Sequence, residues 1–157
     1  MATFCFIWVV IMNYMDYAIE EANKALKKGE IPVGAIIVKA GIIIGKGYNE
    51  KEGKKDPTQH AEIVAIKEAC ANVGDWRLTG CEMYVTLEPC PMCAGAILQS
   101  RIGKLYIGTF NKDMGACGSV VNLVDNRSLN SFVNTIWTYD ERCSKLLQEF
   151  FKGQRER

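Results

Sequence analysis

The chain has 157 residues, which suits one domain with a single core and is too short for two ordinary domains. Its 48% hydrophobic and 24% charged residues exclude a disordered chain. The formal net charge of +1 excludes a polycation that holds nucleic acid through its overall field, so any such contact has to come from local patches.

The first segment, from Phe4 to Met12, is apolar throughout. A membrane span needs roughly 20 apolar residues, and a signal peptide carries a basic residue before its apolar run, whereas the first basic residue here is Lys24. The segment is therefore an edge strand or an over-extended start with Met12 as the initiator. We favour the second interpretation, which predicts an apolar leader at 1–12, a single domain at 13–157 and no membrane association.

Helix-like and strand-like segments alternate along the chain, which is typical of an α/β domain. Apolar residues recur at helical spacing from Tyr14 to Leu26, and Gly29 is placed to end that helix. Two β-branched runs, 33–39 and 42–47, are separated by a short Ala-Gly turn. Together they predict a β-hairpin.

The middle of the chain continues the alternation. Thr58 can cap a second helix, and this cap places His60 and Glu62 in the first helical turn. Strand-like runs follow at 83–87 and 104–108.

Pro91 suits the first turn of a third helix, which is predicted to run to about Ser100. Cys90 and Cys93 then lie at its start, where unpaired backbone N–H groups favour thiolate over thiol. The spacing brings both sulfur atoms to one side of the first turn. A last helix is predicted over 141–151 from its apolar spacing.

The most informative motif pairs the only histidine with two cysteines. His60 and Glu62 form an H-x-E motif upstream of the P-C-x-x-C motif that contains Cys90 and Cys93. One imidazole and two thiolates are suitable zinc ligands, and they leave the fourth tetrahedral position open for water. Glu62 is not needed as a ligand and is free to move protons. This combination is typical of zinc-dependent nucleobase deaminases.

Each part of the motif alone has a simpler explanation. His60 could be a structural histidine, Glu62 a helix-capping carboxylate, and the C-x-x-C motif a redox pair or half of a structural zinc site. A four-cysteine zinc site needs a second close pair, which the seven cysteines do not provide, and a redox pair does not explain Glu62. The odd, scattered cysteines instead indicate reduced thiols in the cytoplasm.

The similarity to a known family extends well beyond these residues, over roughly 13–152. It is carried by the segments Ile31-Pro32-Val33-Gly34-Ala35, Gly47-Tyr48-Asn49, Asp56-Pro57-Thr58-Gln59-His60-Ala61-Glu62, Trp76-Arg77-Leu78, Tyr84-Val85-Thr86-Leu87-Glu88-Pro89-Cys90-Pro91-Met92-Cys93-Ala94-Gly95-Ala96, Ser100-Arg101-Ile102 and Gly115-Ala116-Cys117-Gly118-Ser119. The sequence resembles the bacterial tRNA-specific adenosine deaminases of the cytidine/deoxycytidylate deaminase superfamily.

The resemblance implies a three-layer α-β-α fold around a five-stranded mixed sheet, assembled as a homodimer. It implies a Zn²⁺ cofactor and conversion of adenosine to inosine at the wobble position of a tRNA anticodon stem-loop. An anticodon loop suits this chemistry because its bases are unstacked and can enter a pocket without the opening of a duplex.

The resemblance also assigns individual residues. It implies that His60, Cys90 and Cys93 bind zinc and that Glu62 is the proton shuttle. On the substrate side it implies roles for the residues Asn49, Val33, Ala61 and Asn111. Asn49 would bond the base and Val33 would form an apolar wall, although Asn49 alone would more often be a turn residue. Asn111 departs from the family, which often has aspartate there.

Two other functions stay open. The same zinc motif occurs in enzymes that deaminate free nucleobases or nucleosides such as guanine, cytosine and cytidine. A zinc-binding scaffold without activity is the second alternative, and the presence of Glu62 argues against it.

Overall fold

The computed structural model describes residues 13–156, so the predicted leader lies outside the described residues. In chain order the elements are α1 (Tyr14–Lys27), β1 (Gly34–Lys39), β2 (Ile42–Tyr48), α2 (Lys51–Lys54), α3 (Ala61–Val73), β3 (Cys81–Leu87), α4 (Pro91–Gln99), β4 (Lys104–Thr109), β5 (Asn134–Trp137) and α5 (Glu141–Arg155). No helix within residues 13–156 is long and apolar enough to cross a membrane.

The strands form one mixed sheet in the order β2-β1-β3-β4-β5. Strand β1 pairs antiparallel with β2 and β3, whereas β3, β4 and β5 run parallel to one another. Helices α1 and α5 pack on one face of the sheet and α3 on the other, where it also contacts α4. The predicted α/β class and five-stranded mixed sheet are confirmed.

Strand β1 lies between β2 and β3, and its apolar run is continuous because both of its faces are covered. Ile36 and Val38 face α1, in a core cluster that also contains Met15 and Cys143. Ile37 faces the opposite side, in the larger core cluster beneath α3 and α4. The alternation of side chains along the strand therefore divides the core between the two helical layers.

The predicted hairpin is confirmed, with Ala40 and Gly41 in its turn at positive φ angles of 48° and 77°. Beyond the turn, Gly45 and Gly47 allow α3 to lie close to β2. A Cβ atom on Gly47 would lie 2.9 Å from the Cβ of Val64 and would also collide with the Ala61 carbonyl. The absence of a side chain at Gly47 thus sets the position of the amino end of α3.

The predicted cap of this helix is wrong. Helix α3 begins at Ala61, and His60 occupies the cap position rather than the first turn. Thr58 lies two residues before this cap, in a turn where its backbone N–H and its hydroxyl both donate to the Asp56 carboxylate, at 2.8 and 2.7 Å. The turn therefore ends the loop just before α3, and the His60 side chain forms no capping hydrogen bond with the helix.

Two short elements are absent from the sequence prediction. The one-turn helix α2 forms in a stretch of mixed charge because Glu30 is buried beside it and accepts from the backbone N–H groups of Glu52 and Gly53, at 3.2 and 2.6 Å. Strand β5 is only four residues long and begins with polar residues, so it has no clear alternating pattern. Helix α5 is confirmed and extends beyond the predicted end to Arg155.

Candidate active site

The proposed metal ligands converge where two helices begin. His60 is the cap residue of α3, Cys90 is the cap residue of α4, and Cys93 lies in the first turn of α4. His60 Nδ1 lies 3.6 Å from Cys90 Sγ and 3.5 Å from Cys93 Sγ. The candidate ligand atoms of all three residues lie within 4.8 Å of one another. The structure therefore brings a histidine together with two cysteines that follow it by 30 and 33 residues in the sequence.

These distances test whether zinc fits. Tetrahedral zinc with a Zn–S bond of about 2.3 Å and a Zn–N bond of about 2.0–2.1 Å places its sulfur and nitrogen ligands about 3.5–3.6 Å apart. The observed nitrogen–sulfur separations match that value. One imidazole and two thiolates, without a carboxylate among them, are also the donors that zinc accepts readily. The site fits a zinc ion.

The two thiols differ in acidity because they lie against each other. A hydrogen bond from Cys93, assisted by His60, lowers the pKa of Cys90 to about 4. The same contact, together with burial, raises the pKa of Cys93 well above its ordinary value. A cation bound between the two sulfur atoms would hold both as thiolates.

Glu62 lies one helical position beyond Ala61 and is almost completely buried. Burial is the main reason that its carboxyl pKa is raised to about 7. Glu62 lines the same cavity as His60 and Cys90. A carboxyl group next to the candidate metal ligands can exchange protons with a molecule bound in that cavity.

The cavity has a volume of about 300 Å³, at the small end of the range for ligand sites. Its walls include every residue that the sequence resemblance places on the substrate side, namely Val33, Asn49, Ala61 and Asn111. A larger depression of about 930 Å³ lies at the amino ends of β3, β4 and β5, away from these residues. The chemistry-bearing side chains lie in the smaller cavity.

Asn49 is held in one orientation at the cavity wall. Its Nδ2 donates to the carbonyl of Ile31 at 3.3 Å, and its Oδ1 accepts from the backbone N–H of Lys51 at 3.1 Å. The first contact is long, so the amide retains capacity to bond a ligand. Lys51 also lines the cavity, a position that the sequence did not indicate.

Asn111 belongs to the loop after β4. Its Oδ1 accepts from the backbone N–H groups of Asp113 and Met114, at 3.3 and 3.0 Å. Its Nδ2 has no hydrogen-bond partner among residues 13–156 and is available as a donor at the cavity.

Glu88 is the main residue that the sequence analysis missed. It is buried, lines the cavity and holds the loop that follows β4. One carboxylate oxygen accepts from the Asn111 N–H at 3.1 Å and from the Ser119 hydroxyl. The other accepts from the N–H groups of Cys117 and Ser119, at 3.0 and 3.1 Å. A charged residue at the end of the apolar strand that leads to Cys90 was the available signal.

Fold and site together define a class: a three-layer α/β protein with a metal site of one histidine and two cysteines at helix starts, and a buried glutamate in the adjoining cavity. Residues 10–109 match the profile of the cytidine and deoxycytidylate deaminase zinc-binding region. The chain belongs to the cytidine and deoxycytidylate deaminase family.

Within that family the chain is similar to the tRNA-specific adenosine deaminase of Aquifex aeolicus (strain VF5), with 50% identity over 144 residues, which are 90% of this chain and 94% of the relative. A solved structure from work on A-to-I editing by tRNA:A34 deaminases at the wobble position of transfer RNA matches with a TM-score of 0.82 and 36% identity, over 85% of this chain and 98% of that chain. The guanine deaminase structure from Bacillus subtilis matches with a TM-score of 0.61 and 31% identity, over 93% and 96% of the two chains.

Proposed function

We propose that this chain converts adenosine to inosine by hydrolysis at the wobble position of tRNA anticodon loops, with zinc as its cofactor. One observation carries the proposal: a donor set with zinc-like spacing shares a base-sized cavity with a buried glutamate and a fixed asparagine. The similarity to tRNA-specific adenosine deaminases over nine-tenths of the chain supports adenosine in tRNA as the substrate.

His60, Cys90 and Cys93 are the residues that would hold zinc. When bound, zinc would act as a Lewis acid and lower the pKa of water toward neutrality. The positions of the two cysteines at the start of a helix favour metal binding, because the partial positive charge there stabilises their thiolate forms.

Glu62 is the proposed proton carrier. Its carboxylate takes a proton from the attacking water and delivers it to N1 of adenine, next to the carbon that is attacked. It then assists protonation of the exocyclic amine, which departs as ammonia. Water and adenosine are consumed, inosine and ammonia are formed, and the carboxylate returns to its starting state.

The remaining cavity residues bind the base in this proposal. Asn49 suits the polar edge of a purine because an amide both donates and accepts hydrogen bonds. Val33 and Ala61 provide apolar surface, and Asn111 provides an N–H donor at the rim. A cavity of about 300 Å³ accommodates one base, so the rest of an RNA substrate lies outside it.

Two further properties belong to the proposal. We expect a homodimer, as the family resemblance implies, which sedimentation of the purified protein would test. We also expect a reducing, cytoplasmic location, because the cysteines of the described region are free thiols and two of them belong to the proposed metal site.

The deciding experiment follows the product. Purified protein with measured zinc content is incubated with an anticodon hairpin carrying adenosine at the wobble position, and with free guanine, cytosine and cytidine in parallel. We expect inosine in the hairpin with wild-type protein and none with Glu62→Ala. Ammonia release from guanine without inosine in the hairpin would contradict the proposal and favour a nucleobase deaminase, to which the likeness to guanine deaminase also points.

A further inference from the structure

Three aromatic side chains form a cluster at the surface, where β4 and β5 end. The ring of Phe110 lies 5.0 Å from that of Trp137 and 5.5 Å from that of Tyr139, and the last two rings are stacked at 6.1 Å. Phe110 is 47% exposed and Tyr139 is 62% exposed. Trp137 is half-buried and its other side packs on the core.

This aromatic cluster lies at the same sheet edge as the candidate active site. Strands β3, β4 and β5 are parallel, so their carboxyl ends meet at one edge. Cys90 follows β3, Phe110 follows β4 and Tyr139 follows β5. Phe110 also directly precedes Asn111, and adjacent Cα atoms are about 3.8 Å apart. The cluster therefore begins one residue away from the wall of the cavity.

Covering the core explains the position of Trp137 but not the positions of the Phe110 and Tyr139 rings. A residue whose only role is to cover Trp137 has no need to leave about half or more of its own surface in water. Tyr139 moreover has a φ of 50°, which is uncommon for an aromatic residue. Exposed aromatic rings beside a base-sized cavity are the arrangement that proteins use to stack bases of single-stranded nucleic acid.

Two lysine side chains near the cluster also favour a single-stranded nucleic acid as the ligand of this surface. Lys51 lines the cavity and Lys112 follows Asn111, and neither forms a salt bridge with a carboxylate of residues 13–156. Their ammonium groups are available to phosphates of a strand that enters the cavity. Arg142 contributes less, since Asp16 and Asp140 already bind its guanidinium group.

We propose that Phe110, Trp137 and Tyr139 form a stacking platform for a base that flanks the target nucleotide of a single-stranded RNA substrate. The inference rests on the proposed function, since it takes the occupant of the cavity to be a nucleotide of such a strand. The platform extends the site beyond the cavity and gives the enzyme contacts that a free nucleoside cannot use.

The test uses an anticodon hairpin with the fluorescent base 2-aminopurine next to the wobble adenosine. Wild-type protein should quench this fluorescence on binding, because the base stacks on aromatic rings. Tyr139→Ala and Phe110→Ala should abolish the added quenching and weaken binding by about 5- to 150-fold, the range for loss of one base-stacking aromatic residue. Tyr139→Phe keeps the ring and should behave as wild type.

Trp76→Ala is the matched control, because Trp76 is also an exposed aromatic residue, 52% exposed, and lies before β3 at the opposite sheet edge. It should bind and quench normally. Tyr139 is so exposed that its replacement should leave the fold and zinc content unchanged, so this variant decides the test even if Phe110→Ala does not fold.

The outcomes separate this inference from the proposed function. Normal binding and quenching by Tyr139→Ala overturns the platform, even when wild-type protein forms inosine. Wild-type protein that binds and quenches but forms no inosine contradicts the proposed function, while a loss in the platform variants still supports the platform. Failure of wild-type protein to bind the hairpin overturns the platform as a base site.

Discussion

Replacing Glu88 with glutamine tests how the cavity wall is held in place. The Glu88 carboxylate receives four hydrogen bonds from the loop of residues 111–119, and every partner is a donor. Glutamine keeps the shape but turns one acceptor oxygen into an NH₂ group. One side of the new amide therefore faces donors that it cannot satisfy.

The hydrogen bonds of the Glu88 carboxylate indicate which orientation the glutamine amide should take. On the side of Cys117, the NH₂ group would oppose two backbone N–H groups, Cys117 and Ser119. On the other side it would oppose the Asn111 N–H and the Ser119 hydroxyl, and the hydroxyl can reverse its role and accept. The amide should choose the second arrangement, which leaves the Asn111 N–H without its partner.

One unsatisfied backbone donor costs about 1–3 kcal/mol. For a domain of this size that corresponds to a decrease in Tm of roughly 2–12 °C. If the loop has to be reordered when substrate binds, kcat/KM for the hairpin should fall by up to about 150-fold. Zinc content should not change, because Glu88 is not one of the proposed ligands.

The assay combines thermal unfolding, zinc analysis and hairpin kinetics. Glu82→Gln is the matched control: Glu82 lies on β3, which Glu88 directly follows, and is partly exposed. It pairs with Lys104 at 3.8 Å and accepts from the Tyr84 hydroxyl at 3.3 Å, and a glutamine oxygen can still accept from that hydroxyl. Ser119→Ala should be more harmful in the Glu88→Gln background than in wild type, because the Ser119 hydroxyl is the one group among the four bonded to the Glu88 carboxylate that can accept from the amide. Unchanged Tm and unchanged kinetics in Glu88→Gln would refute this account of the loop.

Three further predictions concern the metal, the proton carrier and the packing of α3. Cys90→Ser should lower zinc content measured by elemental analysis, whereas Cys70→Ser, outside the donor set, should keep it; equal zinc in both variants would contradict the ligand assignment. Glu62→Gln should retain zinc and fold but lose roughly 10²- to 10⁴-fold in kcat, and near-normal turnover would mean that another group moves the proton. Gly47→Ala should reduce the free energy of unfolding by about 1–3 kcal/mol because its Cβ meets the start of α3, whereas Gly153→Ala has open space and should not; equal stability of the two variants would contradict this packing.

Local patterns were sufficient for most of the fold. The helical spacing from Tyr14, the hairpin around Ala40 and Gly41, and the Pro91 helix start are all properties of neighbouring residues, and the structure confirms them. Strand β5 could not be predicted in this way because its order comes from pairing with β4, which lies far earlier in the chain. The wrongly predicted cap at Thr58 and the missed helix α2 have the same cause. In each place a carboxylate, Asp56 in the first and Glu30 in the second, determines where backbone N–H groups bond.

The candidate site divides along similar lines. Four residues with a distinctive chemical pattern were predicted from their motifs, and their roles stay predictions. The structure brings His60, Glu62 and Cys90 to one cavity and places Cys93 beside His60 and Cys90. Glu88 was missed because its importance lies in four contacts with a loop more than 20 residues away. Such long-range contacts cannot be predicted from the spacing of residues in the sequence.

The proposed function requires that the enzyme act on an adenosine presented by an anticodon loop. The most direct test is the ratio of kcat/KM for a hairpin with adenosine at the wobble position to kcat/KM for free adenosine, with the wild-type, zinc-loaded protein. Contacts to neighbouring nucleotides should contribute in the transition state, so we expect a much larger kcat/KM for the hairpin and a difference in kcat as well as in KM. Equal values for the hairpin and the nucleoside would contradict it.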